Sequence, residues 1–403
     1  MKPAPLEGLR PERPPVVLLG DLSLVRPLAW AKIPTILVAS NANATSLRSR
    51  HPIARLVVPG LEDPEQARPI QTLLEMGEDL RRRLGRKVPL FYSSDKHLEM
   101  IYRHRRAIEE QYLVVLNDED TAWALHDKER FYQLTESKGI LAPKTLACGE
   151  DIDRRLGELR EPILVKPRLK TAWKKIQQDL FNGNGKARVF ATRAELRTHP
   201  GFLPHRDELL VQEYIPGGVE CLVSFHGFCD AEGRLLASFG GRKIRTVPRV
   251  AGESCFIELL SDPALERGGR EVVDKLGLKG PFKIDFIRDP RSGELYTLEI
   301  NARFNLWNHV GAANGVNLPE IAYDYLVDGR APQRTPAYAP KYRWLQFYGD
   351  LQSFREGRRA GELGLGSWLA SIAAPSIIHD TFAWDDPAPF VHWVSSIVRS
   401  RFA

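Results

Sequence analysis

Three oxygen-bearing side chains around one hairpin are the residues best placed to do chemistry in this chain. In PFKIDFIRDPRSGELYTLEINAR, residues 281–303, two largely apolar strands flank the turn DPRSG, which centres near Ser292. Asp285 and Glu299 are equidistant from that centre, so an antiparallel register sets them opposite each other, with Cβ atoms roughly 4.5–5.5 Å apart. Asn301 lies two residues beyond Glu299 and shares its face by strand alternation, while Ile300 points away to a core. Two facing carboxylates repel unless something positive lies between them, and an all-oxygen donor set suits Mg²⁺ better than zinc. A surface hairpin with ordinary acids fits less well, because all three residues fall on one face between apolar neighbours. Mg²⁺ kept by a few carboxylates is completed by phosphate oxygens, which points to a nucleotide.

Other segments offer what a triphosphate needs. Lys166 ends the apolar strand ILVKP and is a point charge for phosphate. NGNGK, residues 182–186, is a glycine-rich tip whose backbone N–H groups could cover phosphates, with Lys186 beside them. In LLVQEYIPGGVE, residues 209–220, Glu213 could accept an adenine amino group, the Ile215 N–H could meet a ring nitrogen, and Glu220 could take ribose hydroxyls. Each has a plainer reading, since Gly-Asn tips are often only hairpin turns and strand-end lysines are often only solvated.

The elements that must position these residues divide the chain into three parts. Residues 1–120 alternate strands (Val16–Leu19, Thr35–Ala39, Val88–Tyr92, Tyr112–Leu116) with helices (Leu22–Ala31, Lys96–Glu110), the pattern of a helix-covered parallel sheet. The Gly20-Asp21 turn is not a dinucleotide fingerprint. Asp21 and Arg26 sit where an open α/β sheet binds ligands, although Asp21 equally suits a helix cap. A helical connector over Trp123–Lys138 leads to residues 151–330, strand-rich α+β, with strands at Ile163–Lys166, Ala187–Ala191, Leu209–Tyr214, Cys221–Phe228, Leu235–Gly240, Lys283–Arg288 and Leu295–Asn301. The tail, 331–403, reads as helices packed on that domain, with Gly366–Ile378 as a buried element.

Together these pieces resemble the ATP-grasp superfamily over residues 121–330, and most closely a carboxylate-amine ligase group within it, through EINARFNLWNHVGAANGVNLP and the late DDPAPF. The resemblance implies a Rossmann-like first domain, then a two-lobed ATP-grasp domain (small lobe about 151–212, large lobe about 213–330) and a C-terminal extension. It implies ATP with Mg²⁺, for which Mn²⁺ substitutes, and a ligase that activates a carboxylate as an acyl phosphate before an amine displaces phosphate. Carried onto this chain, Lys128 and Lys166 look like the two ATP lysines, and Glu213, Ile215 and Glu220 like the adenine and ribose contacts. Asp285, Glu299 and Asn301 look like the metal triad, and Arg303 like the arginine on the transferred group. Arg242 or Lys243 lies where a further phosphate-binding cation is placed. Asn305, Asn308 and His309 follow the triad and are candidates for the acceptor pocket. The segment 168–181 is longer and more basic than the short-loop pattern, which leaves Lys186 the least secure assignment. The same triad would serve a small-molecule kinase or a carboxylase-type enzyme, and a silent nucleotide-binding module would keep the fold. The resemblance leans toward a homodimer.

Composition narrows the classes further. Net charge is +6 over 403 residues, but the basic residues are scattered without an aromatic-basic motif, so no nucleic-acid partner is expected. The four cysteines have no CxxC spacing and read as reduced cytoplasmic thiols. The charged, proline-rich start carries no apolar export segment and no stretch suits a bilayer, so neither secretion nor a membrane is expected.

Overall fold

The computed structural model describes residues 9–63, 65–149, 151–168, 173–181, 187–249 and 252–402. Its first layer is a five-stranded parallel sheet in the spatial order Ala54–Val57, Thr35–Ala39, Val16–Leu19, Val88–Tyr92, Tyr112–Leu113. Val16, Val17, Leu18 and Leu19 are wholly buried, as a strand covered on both faces requires. Strand order reverses between Val16–Leu19 and Val88–Tyr92, so the carboxyl ends of these two neighbours form the switch point where such sheets open a crevice.

Several elements differ from expectation. The helix expected over Lys96–Glu110 is two, Asp95–Arg103 and Arg105–Gln111, broken at His104. The strand expected to reach Leu116 pairs only over Tyr112–Leu113, because the Tyr102 hydroxyl and Arg105 bind the Asn117 carbonyl while the Asn117 side chain accepts Lys279 N–H, drawing the chain off the sheet. The connector is also two helices, Glu119–His126 and Lys128–Ser137. Asp127 between them is extended and accepts the Glu129 and Arg130 N–H groups, so a residue read as mid-helix is an N-cap.

Next comes a four-stranded sheet ordered Thr145–Ala147, Leu209–Glu213, Ile163–Pro167, Arg188–Phe190, with its own core around Ile163, Val165, Leu180, Phe190 and Val211. The largest sheet has seven strands: Leu295–Asn301, Gly280–Arg288, Leu222–Cys229, Leu235–Val247, Glu253–Leu260, Arg343–Leu345 and Ile377–His379. The strand expected to stop at Gly240 runs on to Val247. A Cβ on Gly241 would lie 2.6 Å from the Glu258 carbonyl oxygen and 2.6 Å from the Trp307 ring, so this glycine marks the close approach of a helix and not a strand end.

The tail supplies helices, as expected, at Phe347–Arg359, Leu365–Ile372 and Ala388–Phe402, and adds the last two strands of the large sheet. The segment Gly366–Ile378 is not the buried element expected: within the helix Leu365–Ile372 only Trp368 is buried, and Leu369 is 48% exposed. Trp368 alone faces inward, stacking on Phe354 and donating to Asp350 at 2.8 Å. Among the described residues no helix is long and apolar enough to cross a membrane.

Candidate active site

The hairpin pairs Asp285 with Glu299 and Lys283 with Asn301. The turn itself is centred half a residue earlier than expected, pairing Arg288 with Leu295 and Phe286 with Thr297. A bulge at Leu298 then inserts the one residue that brings Glu299 opposite Asp285. Ile300 is buried in the core on the far side. On the near face Asn301 Nδ2 donates to Glu299 Oε1 at 3.0 Å, the Ser224 hydroxyl donates to Asp285 Oδ1 at 2.5 Å, and Lys283 Nζ lies 2.7 Å from Asp285 Oδ2. Burial by itself would raise the Asp285 pKa, but Lys283 and then Lys243 hold the carboxyl well below the usual range. Among the described residues no three His, Cys, Asp or Glu side chains gather around one point. The donor set is two carboxylates and one amide oxygen, with an ammonium standing where a cation is needed. That fits a hard divalent ion whose remaining positions fall to phosphate oxygens.

Cations converge on this face from several elements. Lys166, partly buried at the end of Ile163–Pro167, donates to the Tyr132 hydroxyl at 2.7 Å and to Gln212 Oε1 at 3.2 Å. Burial lowers its pKa to about 8, against the pull of Glu299. Lys128 reaches the same strand, donating to the Pro167 carbonyl at 3.1 Å. Arg303 forks onto Asp95 through Nε and Nη2, with both bonds at 2.9 Å; Nη1 donates to the carbonyls of Ser93 at 3.1 Å and Phe304 at 3.3 Å, and Nη2 also reaches Asn301 Oδ1 at 3.4 Å. Burial works against its charge, but Asp95, then Glu299 and Asp285, leave its pKa raised. Arg303 thus joins the carboxylate face of the hairpin to the switch point of the first sheet.

Arg242 and Lys243 separate by strand alternation. Gly241 pairs with Ser224, and Ser224 with Asp285, so Lys243 shares the face of Asp285 while Arg242 points to the other. Arg242 is occupied there by Glu258 at 2.8 Å, an acid it shares with Arg343. Arg242, expected beside the hairpin acids, therefore does not share the face of Asp285, where Lys243 does.

The nucleoside candidates lie in and after the strand Leu209–Glu213. Glu213 accepts the Arg160 N–H at 3.2 Å, Ile215 is buried, and Glu220 accepts the Gly218 N–H at 3.0 Å. Lys186, with the rest of NGNGK, lies outside the described residues.

The acceptor candidates mostly serve the fold. Asn305 Oδ1 accepts the Trp307 N–H, and Asn308 Nδ2 donates to the Asn305 carbonyl, both within a buried turn. His309 is buried and its pKa is pushed down to about 3, first by burial and then by Arg26, which removes it as a general base near neutral pH. Asp21 caps the helix Leu22–Trp30, accepting from Ser23 N–H at 2.8 Å. Arg26 is no ligand for a small molecule here: it is buried, and its donors go to the carbonyls of His379, Asp380 and Thr381. Asp386 of DDPAPF is likewise spent on the Ser49 hydroxyl and the Arg50 N–H, tying the tail to the first domain.

Lys283, Ser224 and Asp95 stand against the candidate residues Asp285 and Arg303, and sequence reasoning did not single them out. Lys283 carried a signal, standing two residues before Asp285 on the same face. Ser224 and Asp95 reach the site only through strand pairing and domain docking, for which the sequence holds no local mark.

No family model matches the chain. It is 24% identical over 274 residues to D-aspartate ligase from Enterococcus faecium, a match covering 65% of this chain and 63% of that one, so it spans less than two thirds of that relative. Among solved structures it resembles an ADP complex of N5-carboxyaminoimidazole ribonucleotide synthetase, with a TM-score of 0.59 at 13% identity over 85% of this chain and 82% of the other. It also resembles the biotin carboxylase domain of Hydrogenobacter thermophilus 2-oxoglutarate carboxylase bound to MgADP and bicarbonate, with a TM-score of 0.56 at 16% identity over 82% and 73%. With its three sheets, the chain shares the ATP-grasp fold of these structures and has sequence likeness to D-aspartate ligase.

Proposed function

We propose that the chain is an ATP-dependent ligase that activates a carboxylate as an acyl phosphate and joins it to an amine. The observation that carries the reading is the facing pair Asp285 and Glu299, with Asn301 beside them and Lys166, Lys243, Lys283 and Arg303 around them. Asp285, Glu299 and Asn301 would hold Mg²⁺, whose chemistry at this site is to neutralise phosphate oxygens. Lys166 receives phosphates from the small sheet, Lys128 from the start of the helix Lys128–Ser137 beside it, and Lys243 from the large sheet. The turn 213–220 takes adenine and ribose through Glu213, Ile215 and Glu220.

The substrate carboxylate oxygen attacks the γ-phosphorus in line and ADP leaves. The amine nitrogen then attacks the acyl carbon, phosphate departs, and the amine gives up a proton to solvent or phosphate. Arg303, fixed by Asp95, meets the charge on the acyl phosphate without having to reorganise. The carboxylate and amine are small molecules, the setting is a cytoplasm that keeps the four free cysteines reduced, and a homodimer is the proposed assembly.

The test is ADP and phosphate release from Mg-ATP across amino acids and small carboxylates, with Asp285→Asn and Glu299→Gln alongside. Release that requires both a carboxylate and an amine, and that falls at least a hundredfold in the variants, is the expected result. Release with bicarbonate alone would move the reading to a carboxylase. Release with neither class of substrate would overturn it.

A further inference from the structure

The ammonium of Lys283 occupies the flank of Asp285 that faces Asn301. Lys283 pairs with Asn301 across the hairpin and lies two residues from Asp285, so alternation puts all three side chains on one face. Its Nζ is 2.7 Å from Asp285 Oδ2, and the two side chains are only 12% and 13% exposed. The other oxygen of Asp285 is held by the buried Ser224 hydroxyl. Behind the ammonium, 6.0 Å away, stands the ring of Trp307. That ring is buried against His226 and over the backbone of Gly241, so it closes one side of the space open to Lys283. Lys243 adds a second positive charge acting on Asp285 from the neighbouring strand.

We infer that Lys283 is an exchange residue: it holds the Asp285 carboxylate in the nucleotide-free protein and yields it to a divalent cation when phosphate oxygens arrive to take its ammonium. A divalent ion entering alone would have to break a charge-assisted hydrogen bond and then sit beside two ammonium groups, both of which disfavour it. With a polyphosphate present, the displaced ammonium gains oxygen acceptors of its own and the extra charge is balanced. Lys283 therefore makes metal and nucleotide enter as a pair, and keeps Asp285 and Glu299 from facing each other without a counter-charge. The inference rests on the metal-binding part of the proposed function and not on which carboxylate or amine is joined.

The experiment is Mn²⁺ binding, read from the electron paramagnetic resonance signal of the free ion, with and without a non-hydrolysable ATP analogue. It compares the unaltered protein with Lys283→Met, Lys283→Ala, Lys283→Arg and Asp285→Asn. The unaltered protein should bind Mn²⁺ weakly alone and much more tightly with the analogue. Lys283→Met and Lys283→Ala should tighten nucleotide-free binding by about tenfold or more, the equivalent of losing one charge-assisted bond from the competing state. Lys283→Arg, which keeps the charge, should stay near the unaltered protein. Unchanged or weaker nucleotide-free binding in both Lys283→Met and Lys283→Ala overturns the exchange role, even where analogue-dependent binding lost in Asp285→Asn upholds the metal site. Absence of Mn²⁺ binding with the analogue, in every protein, overturns the metal site and this inference together.

Discussion

Replacing Lys166 by methionine should make the protein more stable while weakening its hold on ATP, and the two effects come from the same desolvated ammonium. Burial lowers the Lys166 pKa from 10.5 to about 8. At about 1.4 kcal/mol per unit, keeping that ammonium charged in the fold costs about 3 kcal/mol. The sign follows from proton binding: between pH 8 and 10.5 the unfolded chain binds more protons at this group than the folded one, so stability rises with pH there. The cost is thus complete below pH 8 and gone above 10.5. Methionine keeps the length of the side chain but leaves the Gln212 oxygen, 1% exposed as a residue, without its donor, a penalty of about 1–2 kcal/mol. The net expectation is a gain of about 1–2 kcal/mol at pH 7 that shrinks as pH rises through 8. Urea denaturation of both proteins at pH 7 and at pH 10 measures it, and titration with an ATP analogue should show about tenfold weaker binding or more. A Lys166→Met protein less stable at pH 7, or a difference that is the same at both pH values, would refute the reasoning.

Arg303→Ala should lower turnover at least about tenfold with a smaller change in ATP affinity, and should destabilise the protein by about 2–3 kcal/mol because Asp95 loses its forked partner; rates, nucleotide titration and denaturation on one preparation test all three. Lys243→Ala should weaken ATP binding by about tenfold, whereas Arg242→Ala, whose exposed pair with Glu258 is worth about 0–1 kcal/mol, should move it by less than about threefold; the reverse ranking would put the wrong side chain at the phosphates. Arg26→Ala strips three carbonyls of their donor, so limited proteolysis should cut the chain near residues 377–387 well before it cuts the unaltered protein, and stability should drop by about 2–4 kcal/mol.

The hairpin was legible because its chemistry is local. Asp285, Glu299 and Asn301 share a face through a period of two and a single turn, and the apolar residues between them announce the strands. Even there the register rests on a bulge at Leu298 that the turn sequence does not signal. The parallel strands of the first sheet were legible too, since Val16–Leu19, Thr35–Ala39 and Val88–Tyr92 are continuous apolar runs, each ending where the sheet ends. What stayed hidden depends on partners far away in the chain. Arg26 reads as a ligand at a strand end until the tail, more than 350 residues later, brings its carbonyls to it. Arg242 and Lys243 are equal candidates until pairing with Ser224 and Glu258 decides which faces Asp285.

Periodicity and residue type are properties of short segments, so they suffice for the two carboxylates and the amide that share the hairpin face, for the basic residues available to them and for the kind of fold that carries them. Burial and cross-strand contact arise only when distant segments meet, and it is they that set Lys243 and not Arg242 on the face of Asp285, bring Lys283 against Asp285 and fix Arg303 through Asp95.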